Sequence, residues 1–390
     1  MNTNWQKVKS AIPHAPDWKT DWSSVWETPL QPYLSQMRQR NHNPLWHGEG
    51  DVWIHTEMVC NELAADREFR ELPPEMRQPL FLAAILHDIG KIPCTRLEDG
   101  AWVSPGHTIA GAKMARELLW REFGLCGERG LQNVRECVCT LIRNHSVPLH
   151  VLEQENPERR LIRIAAQGEL VPGFTLSLLR LLVRADIKGR VSREKDTSLE
   201  MAELGFSLAE ELGILDAPLE FQSPAAEHAY LSGKKIWLGQ DLYDDTWGEV
   251  ILMSGLPGTG KDTWIRNNCP GLPVVSLDEI RVRLGISPGE AQGEVIREAR
   301  RQAKELLRQH KTFAWNATDI TSRTRKKMVD LFGQYQARVR IVYLETGWET
   351  GLGRNSARDR EVPQPVIEEM LRNLEPPERL EAQAVDWICV

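Results

Sequence analysis

Apolar positions in the first half of the chain recur at helical spacing, and strand-like alternation is sparse up to about Leu215. The most apolar stretch, residues 81–91 (FLAAILHDIGK), predicts a buried helix that ends by delivering His87 and Asp88 side by side, with Lys91 about one turn on. Residues 43–57 lead from a polar turn into a helix carrying His55. Residues 93–105 read as a turn or short hairpin, after which Gly106 and His107 open a helix with a small-residue face of Ala110, Gly111, Ala112 and Ala115. Residues 134–145 read as a helix ending in Arg143, Asn144 and His145, and residues 175–186 as an apolar helix with Asp186 at its far end.

The pattern changes twice more. Residues 216–248 carry Pro218, Pro224, Gly233 and Gly239 without sustained periodicity, which fits a connection between domains. From there short apolar runs alternate with helical ones: strands at 249–253, 273–277, 312–315 and 338–344, helices at 290–310 and 322–332, and a last helix after Val362 and Pro363. Such alternation predicts a parallel sheet with its sites at the C-terminal ends of the strands. The expected fold class is an all-α domain over residues 1–215, a connection over 216–240, and a parallel sheet flanked by helices over 241–390.

Composition changes this picture little. With 390 residues, 41% hydrophobic and 26% charged, the chain is long enough for two cored domains. No run of about 18 apolar residues predicts a membrane span, and the N-terminal segment lacks an apolar signal core. Seven cysteines, odd in number and scattered, fit reduced thiols in a cytoplasmic protein. A net charge of −7 argues against bulk polyanion binding while permitting local basic sites. Of the 14 tryptophans, those before Trp53 are expected to serve packing rather than base stacking.

Two constellations carry chemistry. In the first half, imidazoles and carboxylates recur in a fixed order, a ligand set suited to Mn2+, Co2+, Ni2+, Fe2+ or Zn2+ rather than to a pure magnesium cage. In the second half, Gly255, Leu256, Pro257, Gly258, Thr259, Gly260 and Lys261 lie between a predicted strand and a helix. In that slot glycines let backbone N–H groups curl around phosphates, the helix N-terminus adds its dipole, and the lysine reaches the β and γ oxygens. The position that normally carries a magnesium-binding Ser or Thr is Asp262, followed by Thr263. A carboxylate there is expected to act through the metal, with Thr263 as the alternative hydroxyl.

The series GDVWIHT, ILHDIGK, GH, NH and ADIKGR resembles the HD phosphohydrolase superfamily, most nearly the HD domains attached to bacterial tRNA nucleotidyltransferases, over about residues 44–190. That resemblance implies that His55, His87, Asp88 and Asp186 hold one metal, and that His107 and His145 stand where some members hold a second. It further implies that Lys91 grips the phosphate and that Arg190 helps orient it. His42 and His47 fall outside this set as surface or substrate-side residues. From about Glu249 onward the chain resembles the 5′-OH polynucleotide kinases of phage and bacterial end-repair enzymes. Asp278 is then the general base, Arg281 a contact to the acceptor phosphate, and Arg354 and Arg358 the lid over the donor phosphates, within the segment that continues through Asp359 and Arg360. Arg323 or Arg325 would help bind the acceptor strand. The arginines of the helix at 290–310 are expected to form a solvated face.

The whole chain resembles bacterial HD-domain–polynucleotide-kinase fusions, RNA end-healing enzymes. Implied are a metal-dependent 2′,3′-cyclic phosphodiesterase and 2′- or 3′-phosphatase, and a kinase using ATP or another NTP with Mg2+. The expected partners are RNA or DNA ends bearing 5′-OH and 2′,3′-cyclic, 2′- or 3′-phosphate, with sealing left to a separate ligase. Two alternatives remain open on sequence: a small-molecule P-loop kinase fused to an HD nucleotidase, and an NTP-gated nucleotide sensor.

Overall fold

The structure, a computed structural model, describes residues 2–286, 292–358 and 360–390. The expected helix start at Glu290, and Asp359 just after Arg358, lie outside the described residues. The chain divides into two compact units, Met1–Leu219 and Glu220–Val390.

The first unit is helical. Its site is carried by Val52–Ala65, Pro74–Leu86, His107–Arg121, Arg129–Asn144 and Leu176–Lys188. Local chemistry sets the starts: the Asp51 side chain accepts from the Ile54 N–H, and Thr175 accepts from the Leu178 N–H. In Pro74–Leu86 every residue from Pro79 to Leu86 is buried, so this helix is surrounded rather than amphipathic. Its end tightens into turns, with Ile89 N donating to Leu86 O and Lys91 N to Asp88 O, and these turns hold His87 and Asp88 in the interior. The expected hairpin is present as β1 (Arg96–Glu98) antiparallel to β2 (Ala101–Val103).

Two helices of this unit are joined through a buried ion cluster. Arg116 and Arg135 both bond Glu136, at 2.8–3.1 Å and 2.7 Å, and the Arg135 guanidinium lies 4.1 Å from the centre of the Trp120 ring. Such a cluster specifies one arrangement more than it adds net stability. Several of the early tryptophans pack as expected, while Trp46 is exposed. Trp5 and Trp53 are buried, and Trp22 and Trp26 meet Trp53 edge-on.

In the second unit five strands form a parallel sheet in the order β4-β5-β3-β6-β7. They are β3 (Glu249–Ser254), β4 (Val274–Ser276), β5 (Phe313–Asn316), β6 (Arg338–Glu345) and β7 (Ala384–Cys389). Both faces are covered. Val250 and Leu252 of β3 pack with Phe313, Trp315 and Ile341, while Ile251 and Met253 pack with Ala314 and Val342. This is why β3 reads as a continuous apolar run instead of an alternating one. The described part of the long helix, Gly293–Arg308, buries Val295, Ala299, Ala303 and Leu307. Its Arg301 pairs with Glu298 and Glu305 at the surface, the solvated face expected for it.

Two features escaped the periodicity. β7 is an edge strand, half-buried throughout, and Asp386 interrupts its apolar run to pair with Arg340 on β6 at 2.5 Å. The stretch read as a connection contains the helix Pro224–Leu231, which buries Ala226, Ala229, Tyr230 and Leu231 and lies within the second unit. Glu227 of that helix is ion-paired with Arg379.

Gly90 shows how tightly the first unit closes around its site. A Cβ there would lie 2.0 Å from the carbonyl oxygen of His107 and 2.5 Å from the amide nitrogen of Gly111, backbone atoms that cannot swing aside. A Cβ on Gly111 would meet nothing nearer than 3.2 Å. Gly90→Ala is therefore expected to cost about 3 kcal/mol or more in chemical denaturation, and Gly111→Ala about 1 kcal/mol.

Candidate functional site

The six expected metal ligands meet in one place. Donor atoms of His55, His87 and Asp88 lie within 4.8 Å of one another, and so do those of Asp88, His107 and His145. Asp186 joins the first group, its Oδ1 standing 3.0 Å from His55 Nε2 and 3.9 Å from His87 Nε2. Asp88 thus belongs to both groups, with one oxygen 3.3 Å from His87 Nε2 and the other 3.7 Å from His107 Nε2.

The ring orientations follow from short local bonds. Nδ1 of His87, His107 and His145 lies 2.8–2.9 Å from the carbonyl oxygen three residues earlier, on Ala84, Ser104 and Ile142. A carbonyl only accepts, so Nδ1 carries the proton and the Nε2 lone pair is directed to the cluster. His87 Nε2 and both Asp88 oxygens are buried without a hydrogen-bond partner. Such buried acceptors without a well-directed donor are costly unless a cation satisfies them, so these residues fit a divalent metal.

Charges around the cluster keep both carboxylates ionised. Burial alone would push the Asp88 carboxyl up, but the charge of Lys91, then that of His87, hold it well below the usual carboxylate range. Asp186 is held well below it likewise, against burial, by Arg190 and His55. Lys91 Nζ stands 2.7 Å from Asp88 Oδ2, and Arg190 is paired with Asp186.

The sequence pattern did not single out Glu49. Its Oε1 lies 2.8 Å from His47 Nδ1 and 2.9 Å from His55 Nδ1, off the line of a good hydrogen bond in the second case. Its other oxygen accepts from the Val191 N–H at 2.9 Å. Only the fold brings residues 49, 55 and 191 together. No local signal marks the glutamate.

In the second unit, Gly255, Gly258 and Gly260 have φ of 145°, 81° and 84°, and the loop runs from β3 into the helix Lys261–Asn268. Space also demands glycine: a Cβ on Gly258 would lie 2.2 Å from the carbonyl oxygen of Gly351. Thr259 bonds back to Leu256 O at 2.8 Å, closing the turn. Lys261 Nζ donates to the carbonyls of Gly255 and Leu256, both at 2.9 Å, and burial pulls its pKa down to about 8. Asp262 accepts from Asn316 Nδ2 at 2.6 Å, tying the loop to the tip of β5, while Thr263 is exposed on the next position of the helix.

Asp278, on the helix Leu277–Leu284 just past β4, is exposed and paired with Arg281 and, at 3.3 Å, with Arg358. Its charge and that of Asp262 both bear on Lys261. Arg354 lies beside the loop, its guanidinium 3.9 Å from where a Gly260 Cβ would stand. Asn355 Nδ2 donates to Val362 O at 2.8 Å, and its Oδ1 accepts from the Val362 N–H at 3.2 Å. One expectation is corrected. Arg325 is fully buried and bonds both oxygens of Glu381, at 2.7 and 2.8 Å, so it supports the core and is not available to an acceptor strand.

Burial pulls the His47 pKa down to about 4 and that of His145 to about 3. Both values lie below the usual histidine value near 6.5, so the folded state binds fewer protons than the unfolded chain as pH falls. The stability present above pH 6.5 is then lost on acidification, by about 2 kcal/mol per histidine at pH 5. With chelator present, thermal or urea denaturation is expected to show this fall between pH 7 and pH 5. His145→Asn is expected to shrink it by about that amount.

Comparison with known proteins agrees with this division. The HD domain profile matches residues 51–166, and the AAA domain profile matches residues 250–377. Two bifunctional uridylyltransferase/uridylyl-removing enzymes of Bradyrhizobium are similar to part of the chain. That of strain ORS 278 is 34% identical over 138 residues, and that of strain BTAi1 / ATCC BAA-1182 is 35% identical over 130 residues. These cover 35% and 33% of this chain, which spans only 12% of the length of either relative. Among the described residues no helix is long and apolar enough to cross a membrane. The chain therefore joins a helical HD domain to a P-loop-type domain built on a five-stranded parallel sheet.

Proposed function

We propose that the chain is a bifunctional enzyme that heals broken nucleic-acid ends, RNA above all. The helical unit hydrolyses the 2′,3′-cyclic, 2′- or 3′-phosphate on one side of a cut, and the α/β unit phosphorylates the 5′-hydroxyl on the other. The observation that carries this reading is the presence in one chain of a buried His/Asp cluster centred on Asp88 and a P-loop faced by Asp278, Arg354 and Arg358.

In the helical unit, His55, His87, Asp88 and Asp186 would hold one divalent ion, and Asp88, His107 and His145 a second. When bound, such an ion supplies Lewis acidity toward phosphoryl oxygens and an acidified water. The chain's own residues do the rest. Lys91, half-neutralised by Asp88, offers an ammonium to a phosphoryl oxygen, and Arg190 fixes the Asp186 carboxylate in place.

In the α/β unit, a triphosphate draws the Lys261 ammonium off the Gly255 and Leu256 carbonyls, while the N–H groups of residues 258–261 cradle the phosphates. Asp262 and Asn316 would hold Mg2+, directly or through water. Asp278 takes the proton as the 5′-oxygen attacks the γ-phosphorus, the bond to the β-phosphate oxygen breaks, and the diphosphate leaves. Arg354 and Arg358 neutralise the charge that builds on the transferring group, and Arg281 holds the acceptor's phosphate.

The relatives favour a second reading for the helical unit. Their name includes uridylyl removal, so the same cluster would release a uridylyl group from a larger molecule.

The test uses RNA bearing 5′-OH and 2′,3′-cyclic phosphate with ATP and a panel of Mn2+, Co2+, Ni2+ and Zn2+. Asp88→Ala is expected to lower phosphate-end hydrolysis at least about 100-fold while leaving 5′ phosphorylation intact, and Lys261→Ala to do the reverse. Transfer to nucleosides or polyols but never to the oligonucleotide would establish a small-molecule kinase. Failure to hydrolyse the phosphate end with every metal, in the unmodified protein, would refute the end-healing reading.

A further inference from the structure

Beside the cluster described above lies a second group of donors that the proposed chemistry does not use. His42, His47 and Glu49 each offer an atom within 4.8 Å of the others, and none of the three belongs to the groups built on Asp88. We infer that these residues form a third divalent-cation site, a distinct His2Glu centre adjoining the first.

His42 is the strongest evidence. It is 7% exposed, and neither ring nitrogen has a hydrogen-bond partner. A histidine kept only for packing would have at least one nitrogen bonded, because an orphaned buried imidazole loses its hydration for nothing. The ring meets that of His47 edge-on at 4.0 Å and lies 5.5 Å from that of His55, so its nitrogens sit among other potential ligands.

The loop that carries the three is prearranged. An antiparallel bridge between Asn41 and Asp51 closes it at its base, and Val52 N donates to Arg40 O at 3.1 Å. Gly48 N donates to Val191 O at 2.8 Å, while Val191 N returns a bond to Glu49 at 2.9 Å. Both sides of the loop are thereby fixed against the end of the helix that carries Asp186. His47 Nδ1 and Glu49 Oε1 are 2.8 Å apart. That contact is a hydrogen bond to an acceptor, so His47 Nδ1 carries the proton, the glutamate is held in place, and Nε2 is the ring nitrogen left for a metal. The Lys91 ammonium also faces these rings, but it is engaged by Asp88 at 2.7 Å.

Two imidazoles and one carboxylate select Zn2+, Mn2+, Co2+, Ni2+ or Fe2+ over Ca2+ and Mg2+, and they leave positions open for water or a ligand oxygen. Because Glu49 also touches His55 Nδ1 at 2.9 Å, filling this site changes the setting of the neighbouring one. The assignment does not depend on which phosphate ester the helical unit cleaves.

The full-length protein, crystallised with excess Zn2+, tests the inference through anomalous scattering at the zinc edge. A peak about 2.0–2.2 Å from donor atoms of His42, His47 and Glu49 is expected. Its absence overturns the site, whether or not peaks appear at the groups sharing Asp88. Peaks at His42, His47 and Glu49 but at neither Asp88 group would refute the proposed function and leave this inference standing. Metal counting in solution at fixed free Zn2+ gives an independent measure. His42→Ala and His47→Ala are each expected to bind one ion fewer per chain than the unmodified protein, and an unchanged count in both would refute the site. If either variant does not fold, the anomalous map of the unmodified protein still decides.

Discussion

Asp88 and Asp186 have almost no contact with solvent, and the helical unit is arranged around the cost of putting them there. An ionised carboxylate taken from water into a helical interior is strongly destabilising unless cations and donors surround it. Here the compensation comes from five helices and the turns at their ends: His55, His87, His107 and His145 as donors or ligands, Lys91 and Arg190 as counter-charges. Even so, neither oxygen of Asp88 has a well-directed hydrogen bond, although the Lys91 ammonium stands 2.7 Å from Oδ2. That residual deficit separates a site built to receive a cation from an ordinary buried ion pair such as Arg116 with Glu136, where the guanidinium meets both carboxylate oxygens.

The α/β unit is organised by a different constraint. Its anion site is made of backbone, so its demands fall on conformation rather than on charge. Gly255, Gly258 and Gly260 supply the left-handed φ values, and at Gly258 the approach of Gly351 leaves no room for a side chain. Lys261 is held, part-buried, against two carbonyls at the loop, a position that keeps an ammonium near the turn without an acidic partner bonded to it. Asp262 replaces the usual hydroxyl residue and is held by Asn316, so the C-terminal tip of β5 rather than the loop fixes where its charge points.

A good part of this was legible in the sequence. The glycine–lysine loop could be placed because its geometry is local: a strand, a turn that needs positive φ, and a helix start are all written within a dozen residues. The histidines at 55, 87, 107 and 145 could be grouped because each lies in a short motif whose order resembles that of the HD superfamily. β7 was not legible, since a half-buried edge strand carrying Asp386 shows neither a continuous apolar run nor clean alternation. Arg325 was misjudged because an arginine on a polar helix looks solvated until Glu381, 56 residues away, is brought against it.

The sequence by itself determined which candidate ligand types and turn motifs are present, because these and helical periods are properties of neighbouring residues. Only the tertiary structure decided that Asp88 is shared between two groups of donors and that Glu49 reaches His47, His55 and the Val191 amide at once. It also decided that His42 is enclosed with both nitrogens unbonded. Those facts depend on distances between residues up to 142 positions apart, and such distances are fixed by how helices pack.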